Sequence, residues 1–332
     1  MEETSKTANK KPVRYALLTV LAVIMVLVTL TILVCYQAMK AEAYARYMGI
    51  KNVSAQNIAR TIRGVEMNAK NVFEEVAKHV DTPEDVIEAL SSKTNYNLDV
   101  KGYFAAFEPN FFPEKGTWFE PYVYQSDNKE FEFRQVGSAR HNYFKSLWYI
   151  KAKTTHATFW SDPYYYYDGT SISGHYCTYV KPIYDSRDQL ICVCGADMNF
   201  EWMSKELEWG DEASRKNNLL NKYHSISDFR YYTVLFDKDG ICVSHPKDKA
   251  VTITDKEMSR NLTNKKSGVT TMDVDGESCT IYYGPIDYVD WSLAVIVPQQ
   301  DLLNSLLPMF ALLLCVSAIG LVCIYFMLRR IK

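Results

Sequence analysis

Two long runs of apolar residues stand near the ends of this chain, and the stretch between them changes texture part-way. Residues 15–36 carry no charge, and neither do residues 302–328. Each run exceeds the roughly 20 residues needed to cross a bilayer core. After the first run the pattern turns helical. Ala55, Ile58, Ile62, Val65, Ala69, Val72 and Val76 recur at alternating steps of three and four, a heptad seam. The spacing predicts a rigid helix reaching about residue 79, its seam turned either to its own domain or to a second subunit. Thr82-Pro83-Glu84-Asp85 then supplies a hydroxyl cap, a first-turn proline and an acid, which predicts a second helix to about residue 91.

From Tyr96 onward the periodicity shortens to that of strands. Apolar or aromatic runs at 102–107, 121–125, 175–183 and 189–197 are broken by a Pro- and Gly-containing loop at 110–118. A helical pattern covers 200–208. A second β-rich unit follows with runs at 231–236, 241–245, 268–274, 277–285 and 291–297. Asp239-Gly240 and Asp275-Gly276 mark hairpin turns, and 255–262 reads as a polar helix. The units echo each other: Cys177-Thr178 leads to Pro182-Ile183, and Cys279-Thr280 leads to Pro285-Ile286. The expected fold class is α+β, with two modules of antiparallel sheet in tandem on a long N-terminal helix, flanked by two transmembrane helices.

Charge orients this picture. The net charge of -2 gives no field that would point to nucleic acid. Lys6, Lys10, Lys11 and Arg14 precede the first run, and Arg329, Arg330 and Lys332 follow the second. The positive-inside rule therefore puts both termini in the cytoplasm and residues 37–301 outside. The first run is too long for an ordinary signal peptide. Of eight cysteines, Cys177, Cys192, Cys194, Cys242 and Cys279 fall in the outer region, where an odd count leaves at least one unpaired. Buried thiols are expected, with one or two disulfides as the alternative. No Cys/His spacing suits zinc, and no H-E-x-x-H, G-x-S-x-G or P-loop motif occurs. No enzyme, cofactor or metal is expected from the residues present.

The candidate chemistry lies at 141–168, HNYFKSLWYIKAKTTHATFWSDPYYYYD. Tyr143, Trp148, Tyr149, Trp160, Tyr164, Tyr165, Tyr166 and Tyr167 crowd there with Asp162 and Asp168. Aromatic rings with polar tips make walls for a small-ligand pocket, although the same crowd would also serve as plain core. Asp162 beside Pro163 and Asp168 beside Gly169 read first as turn residues.

The outer region resembles a double Cache (dCache) sensor, the two-module PAS-like input domain of bacterial receptors. The likeness rests on the flanking spans, the long first helix, Trp148-Tyr149, W-S-D-P-Y at 160–164, K-P-I-Y-D at 181–185 and G-A-D-M at 195–198. It implies a distal module, 81–208, that holds the ligand, and a proximal module, 209–300, that passes the change on. The remaining divisions are a cytoplasmic end at 1–14, a span at 15–36, a stalk helix at 37–80, a span at 302–328 and a cytoplasmic end at 329–332.

Amino-acid-binding members resemble Tyr-x4-Arg-x-Trp-Tyr, then Pro-Tyr-x-Asp, then an Asp ending the last distal strand. Trp148, Tyr149, Tyr164 and Asp197 match that pattern here. His141 replaces the Tyr, Ser146 the Arg and Tyr166 the first Asp. A serine cannot grip a carboxylate as a guanidinium does. Asp197 could receive an ammonium beside aromatic faces, helped by Asp168 or Asp162, or could instead cap the next helix. His141, Arg140 or Lys145 could form a new anion anchor. The ligand-binding set expected on this basis is His141, Tyr143, Trp148, Tyr149, Trp160, Tyr164, Tyr166, Asp168 and Asp197. The expected function is a small-molecule sensor in the cell membrane, dimeric, relaying through its second span to a kinase, phosphatase, cyclase or chemotaxis output beyond residue 332. The alternative is a membrane-anchored protein-binding scaffold.

Overall fold

The computed structural model describes residues 10–91, 97–126, 130–167, 173–199, 203, 207, 231–245 and 251–330. Helix α1 runs unbroken from Lys10 to Lys78, followed by α2 (Pro83–Leu90). The start of α2 forms as its sequence requires: the Asp85 amide donates to Thr82 Oγ1 at 3.2 Å, with Pro83 in the first turn.

A seven-stranded sheet follows in the order β3-β2-β1-β7-β6-β4, with β5 also paired to β6. Its strands are β1 (Val100–Phe107), β2 (Pro121–Gln125), β3 (Phe131–Gln135), β4 (Phe159–Trp160), β5 (Tyr164–Tyr167), β6 (Ser173–Tyr184) and β7 (Leu190–Asn199). Helix α3 (Leu147–Thr155) interrupts it between β3 and β4. A separate five-stranded sheet has the order β10-β11-β12-β8-β9. It comprises β8 (Tyr232–Phe236), β9 (Cys242–Ser244), β10 (Gly268–Val274), β11 (Glu277–Pro285) and β12 (Ser292–Pro298), with α4 (Lys256–Thr263) between β9 and β10. Every described strand pair is antiparallel. Helix α5 (Gln299–Arg330) ends the described chain.

Helix α1 is the spine. All seven heptad residues from Ala55 to Val76 are buried, packed with Tyr103, Ala105, Phe107, Cys192 and Cys194 on one face of the first sheet. The seam therefore turns to its own domain. Further down, Ala43 and Tyr47 pack with Tyr231, Tyr282, Val295 and Val297 of the second sheet. Lys51 is buried there too, its Nζ 3.3 Å from Ser267 Oγ. The second sheet thus lies nearer the apolar end of α1. From Leu18 that helix is long and apolar enough to cross a membrane, with Leu18, Met25, Val26 and Leu30 exposed. The described apolar run of α5, Phe310–Cys323, is shorter.

All eight cysteines are free thiols, and Cys177, Cys192, Cys194 and Cys279 are buried. Cys192 and Cys194 share a face with their sulfurs 3.8 Å apart, as the alternation of a strand demands. The helix expected at 200–208 falls almost wholly outside the described residues; Met203 and Leu207 within it are helical and buried.

Candidate functional site

The other face of the first sheet, away from α1, carries a cavity of about 530 Å³. Strand alternation selects its floor. Phe104 on β1 and Tyr122 on β2 sit side by side in register, with Glu120 two residues before Tyr122 on the same face. Two glycines make room for the rings. A Cβ at Gly102 would come within 2.5 Å of Tyr122 Cζ, and one at Gly195 would run into the Phe104 ring. Gly195→Ala is accordingly expected to lower stability by about 1–3 kcal/mol through overpacking. Chemical denaturation would show this, and an unchanged midpoint would mean the Phe104 ring is free to leave.

Helix α3 forms one wall. Trp148 and Lys151, three residues apart, line the cavity, while Tyr149 and Ala152 turn into the core. Trp148 leans on Phe104 at 5.0 Å between centroids, and the Lys151 ammonium lies 4.0 Å over the Phe159 ring. The opposite wall is the segment joining β4 to β5, with Phe159, Ser161, Asp162, Pro163, Tyr164, Tyr165 and Tyr166.

Two carboxylates are buried in this aromatic setting. Thr178 Oγ1 donates to Asp197 Oδ1 at 2.6 Å, and the Tyr164 hydroxyl donates to the same oxygen at 3.4 Å. The Tyr122 hydroxyl stands nearby without meeting hydrogen-bond geometry, yet helps to hold the acid's pKa down. Burial outweighs these hydroxyls and pushes the Asp197 carboxyl up to about 6. Glu120 is pushed well above the carboxylate range, first by burial and then by the charge of Asp197. Its Oε2 has no hydrogen-bond partner and faces His141 Nε2 at 3.6 Å. The His141 ring stands edge-on to Tyr166, 5.3 Å away.

Of the residues expected from sequence, His141, Trp148, Tyr164, Tyr166 and Asp197 are brought together around the cavity. Three others are placed elsewhere. Tyr143 is fully buried beneath it, donating to the Phe107 carbonyl at 2.6 Å. Tyr149 donates to Glu108 Oε1 at 2.7 Å inside the core. Trp160 lies on the opposite face because strand neighbours alternate; its Nε1 donates to Glu66 Oε1 on α1 at 3.0 Å, and its ring packs on Tyr179. Asp168 lies outside the described residues. Arg140 and Lys145 are exposed and do not line the cavity. Glu120, Tyr122, Phe104 and Lys151 were not expected. For Glu120 a signal existed: it is the single charge in Phe119–Tyr124 and shares parity with Tyr122 and Tyr124.

Residues 86–205 match the family model of the methyl-accepting chemotaxis protein-like first PDC sensor domain. This region is a PDC, or Cache-type, sensor domain. Solved structures agree in fold. The extracellular domain of the candidate histidine kinase soHK1S-Z6 has a TM-score of 0.61 at 21% identity, covering 81% of this chain and 99% of its own. The periplasmic sensory domain of the Campylobacter jejuni chemoreceptor Tlp1 gives 0.62 at 14% identity, over 80% and 98%. The ligand-binding domain of the Pseudomonas fluorescens chemoreceptor CtaA, in complex with L-isoleucine, gives 0.52 at 14%, over 81% and 95%. No curated protein matches the chain by sequence. The PDC sensor domain holds the whole cavity of the first sheet, and a sensor fold is not an enzymatic one.

Proposed function

We propose that this chain is the input region of a membrane receptor that binds a small molecule in the cavity of its first sheet. The observation that carries the reading is how the cavity wall is tied to the rest of the molecule. The β4–β5 segment lines the cavity through Phe159, Ser161, Asp162 and Tyr164. Within the same segment, Trp160 donates to Glu66 on α1, and Asp162 pairs with Lys238 at 3.2 Å. Lys238 belongs to the β8–β9 turn of the second sheet, where Asp239 and Asp162 hold its ammonium above the ordinary lysine range. A ligand that draws this segment inward pulls on both the spine and the second sheet. Differential affinity for the two arrangements is all that a population shift requires.

In this reading the sheets are two modules in tandem, 81–208 and 209–300, the second nearer the membrane. The apolar parts of α1 and α5 form two spans, with both ends of the chain in the cytoplasm, and a dimer passes the movement through 302–328 to a cytoplasmic output. Amino acids are bound by similar folds such as CtaA, which supports a small polar metabolite as ligand.

The test is a thermal-shift screen of amines, amino acids, carboxylates and peptides on the full chain in detergent. A ligand at 100 times its Kd stabilises by about 2.7 kcal/mol. Trp148→Ala is expected to abolish the shift while leaving the fold intact by circular dichroism. A shift that survives in the folded variant would move the pocket elsewhere.

A further inference from the structure

Two buried carboxylates, Asp197 and Glu120, line the cavity from strand positions well apart. Asp197 on β7 stands opposite Gly102 of β1, and Tyr122 on β2 stands opposite Phe104. Glu120, two residues before Tyr122, is therefore level with Ala106, four residues along β1 from the Asp197 row. Four residues of strand rise and two inter-strand steps separate the Cα atoms by roughly 16 Å. Both residues line the same cavity, and the charge of Asp197 helps to raise the Glu120 carboxyl. An ammonium lies about 2.8 Å from the carboxylate oxygen that holds it.

We propose that the cavity takes a short linear diamine, one ammonium on Glu120 and the other on Asp197, with its hydrocarbon chain across Phe104 and Tyr122. The proposal rests on the reading of this cavity as the ligand pocket. Glu120 supplies the independent support. Its side chain is 5% exposed, yet among the described residues Oε2 has no hydrogen-bond partner, and His141 Nε2 stands 3.6 Å away. A buried carboxylate in that state is costly, and a charge-assisted partner satisfies it. The aromatic rings between the two acids suit both methylenes and cation edges. An α-amino acid fits less well. Where a guanidinium would hold its carboxylate stands Ser146, and the basic groups on the wall are His141, beside Glu120, and Lys151, over the Phe159 ring. Asp162, the third acid on the wall, is already paired with Lys238.

Calorimetric titration of the full chain in nanodiscs with 1,4-diaminobutane, 1,5-diaminopentane, butylamine, L-glutamine and succinate decides the matter. Either diamine is expected to bind at least ten-fold tighter than butylamine, and succinate not at all. Glu120→Gln, nearly isosteric, is expected to erase the diamine's advantage over butylamine, which keeps Asp197 as an anchor; Asp197→Asn is expected to weaken both amines. A diamine no tighter than butylamine, or indifferent to Glu120→Gln, overturns the proposal, as does the absence of any amine binding. If glutamine or succinate binds instead and Trp148→Ala weakens it, the pocket stands and only the diamine falls. If diamine binding survives Trp148→Ala, the pocket itself is misplaced.

Discussion

Ile62→Ala is expected to cost the folded chain about 2–5 kcal/mol, the range for truncating a fully buried aliphatic side chain. Ile62 is 0% exposed at the middle of the α1 seam. The cluster it belongs to includes Tyr103, Cys194 and Ala196 of the first sheet and extends to Trp291 and Leu293 of the second. A void there loosens the spine where the sensor domain is fastened to it. Urea denaturation of the full chain in detergent provides the measurement, with Met67→Ala as control. Met67 lies on the same helix but is 59% exposed, so its truncation should stay within about 0.5 kcal/mol. Equal midpoints for the two variants would show that the seam is not packed on the sheets and serves a second subunit instead.

Asp197→Asn is expected to raise the stability of the ligand-free chain above pH 6, by up to about 3 kcal/mol. Burial holds the carboxyl's pKa at about 6 in the folded state against its ordinary 3.8, and each pKa unit is worth about 1.4 kcal/mol. The sign follows from proton binding. Between pH 3.8 and 6 the folded state holds more protons than the unfolded one, so stability falls as pH rises through that window and is level above it. The groups facing Asp197 are the hydroxyls of Thr178, Tyr164 and Tyr122; its charge is also felt by the Glu120 carboxyl and, through the sheet, by the Cys177 thiol on the other face. Glu120 titrates in the same direction, so wild type and variant must be compared at each pH. Their difference in midpoint should grow from pH 4 to 6 and then stay constant. Parallel curves would mean that Asp197 is not desolvated. The cost of holding this acid at neutral pH is the usual mark of a site built for a partner rather than for stability.

The pocket and the spine meet in a short segment. Phe159, Trp160, Ser161 and Asp162 face the cavity, α1, the cavity and its rim in turn. A strand needs only its period of two to send adjacent side chains to opposite faces, so ligand contact and helix contact can be made by neighbours. This is the physical basis for expecting movement at the cavity to reach Glu66 and Lys238 without any long path.

Periodic patterns decide what the chain does locally, and they are legible in the sequence. The heptad from Ala55 to Val76 determined the helix, Thr82-Pro83 its successor, and the Asp-Gly pairs the hairpin β10–β11 with its turn at 275–276. These signals are local because the forces behind them act within a turn or between adjacent strands. The aromatic stretch at 141–168 also located the cavity, since rings cluster where a pocket needs walls. Which ring faces it was another matter. Tyr143, Tyr149 and Trp160 were separated from Trp148, Tyr164 and Tyr166 by the phase of a helix and of two short strands. Phase is set by what each element packs against, and that is a tertiary fact. Glu120 depended on it entirely: it is distant in sequence from Asp197 and belongs to no motif. It enters the site because β2 and β7 both flank β1. The sequence alone determined a helical spine and antiparallel strands with an aromatic patch. Only the pairing of strands far apart in the chain put two buried acids into one cavity.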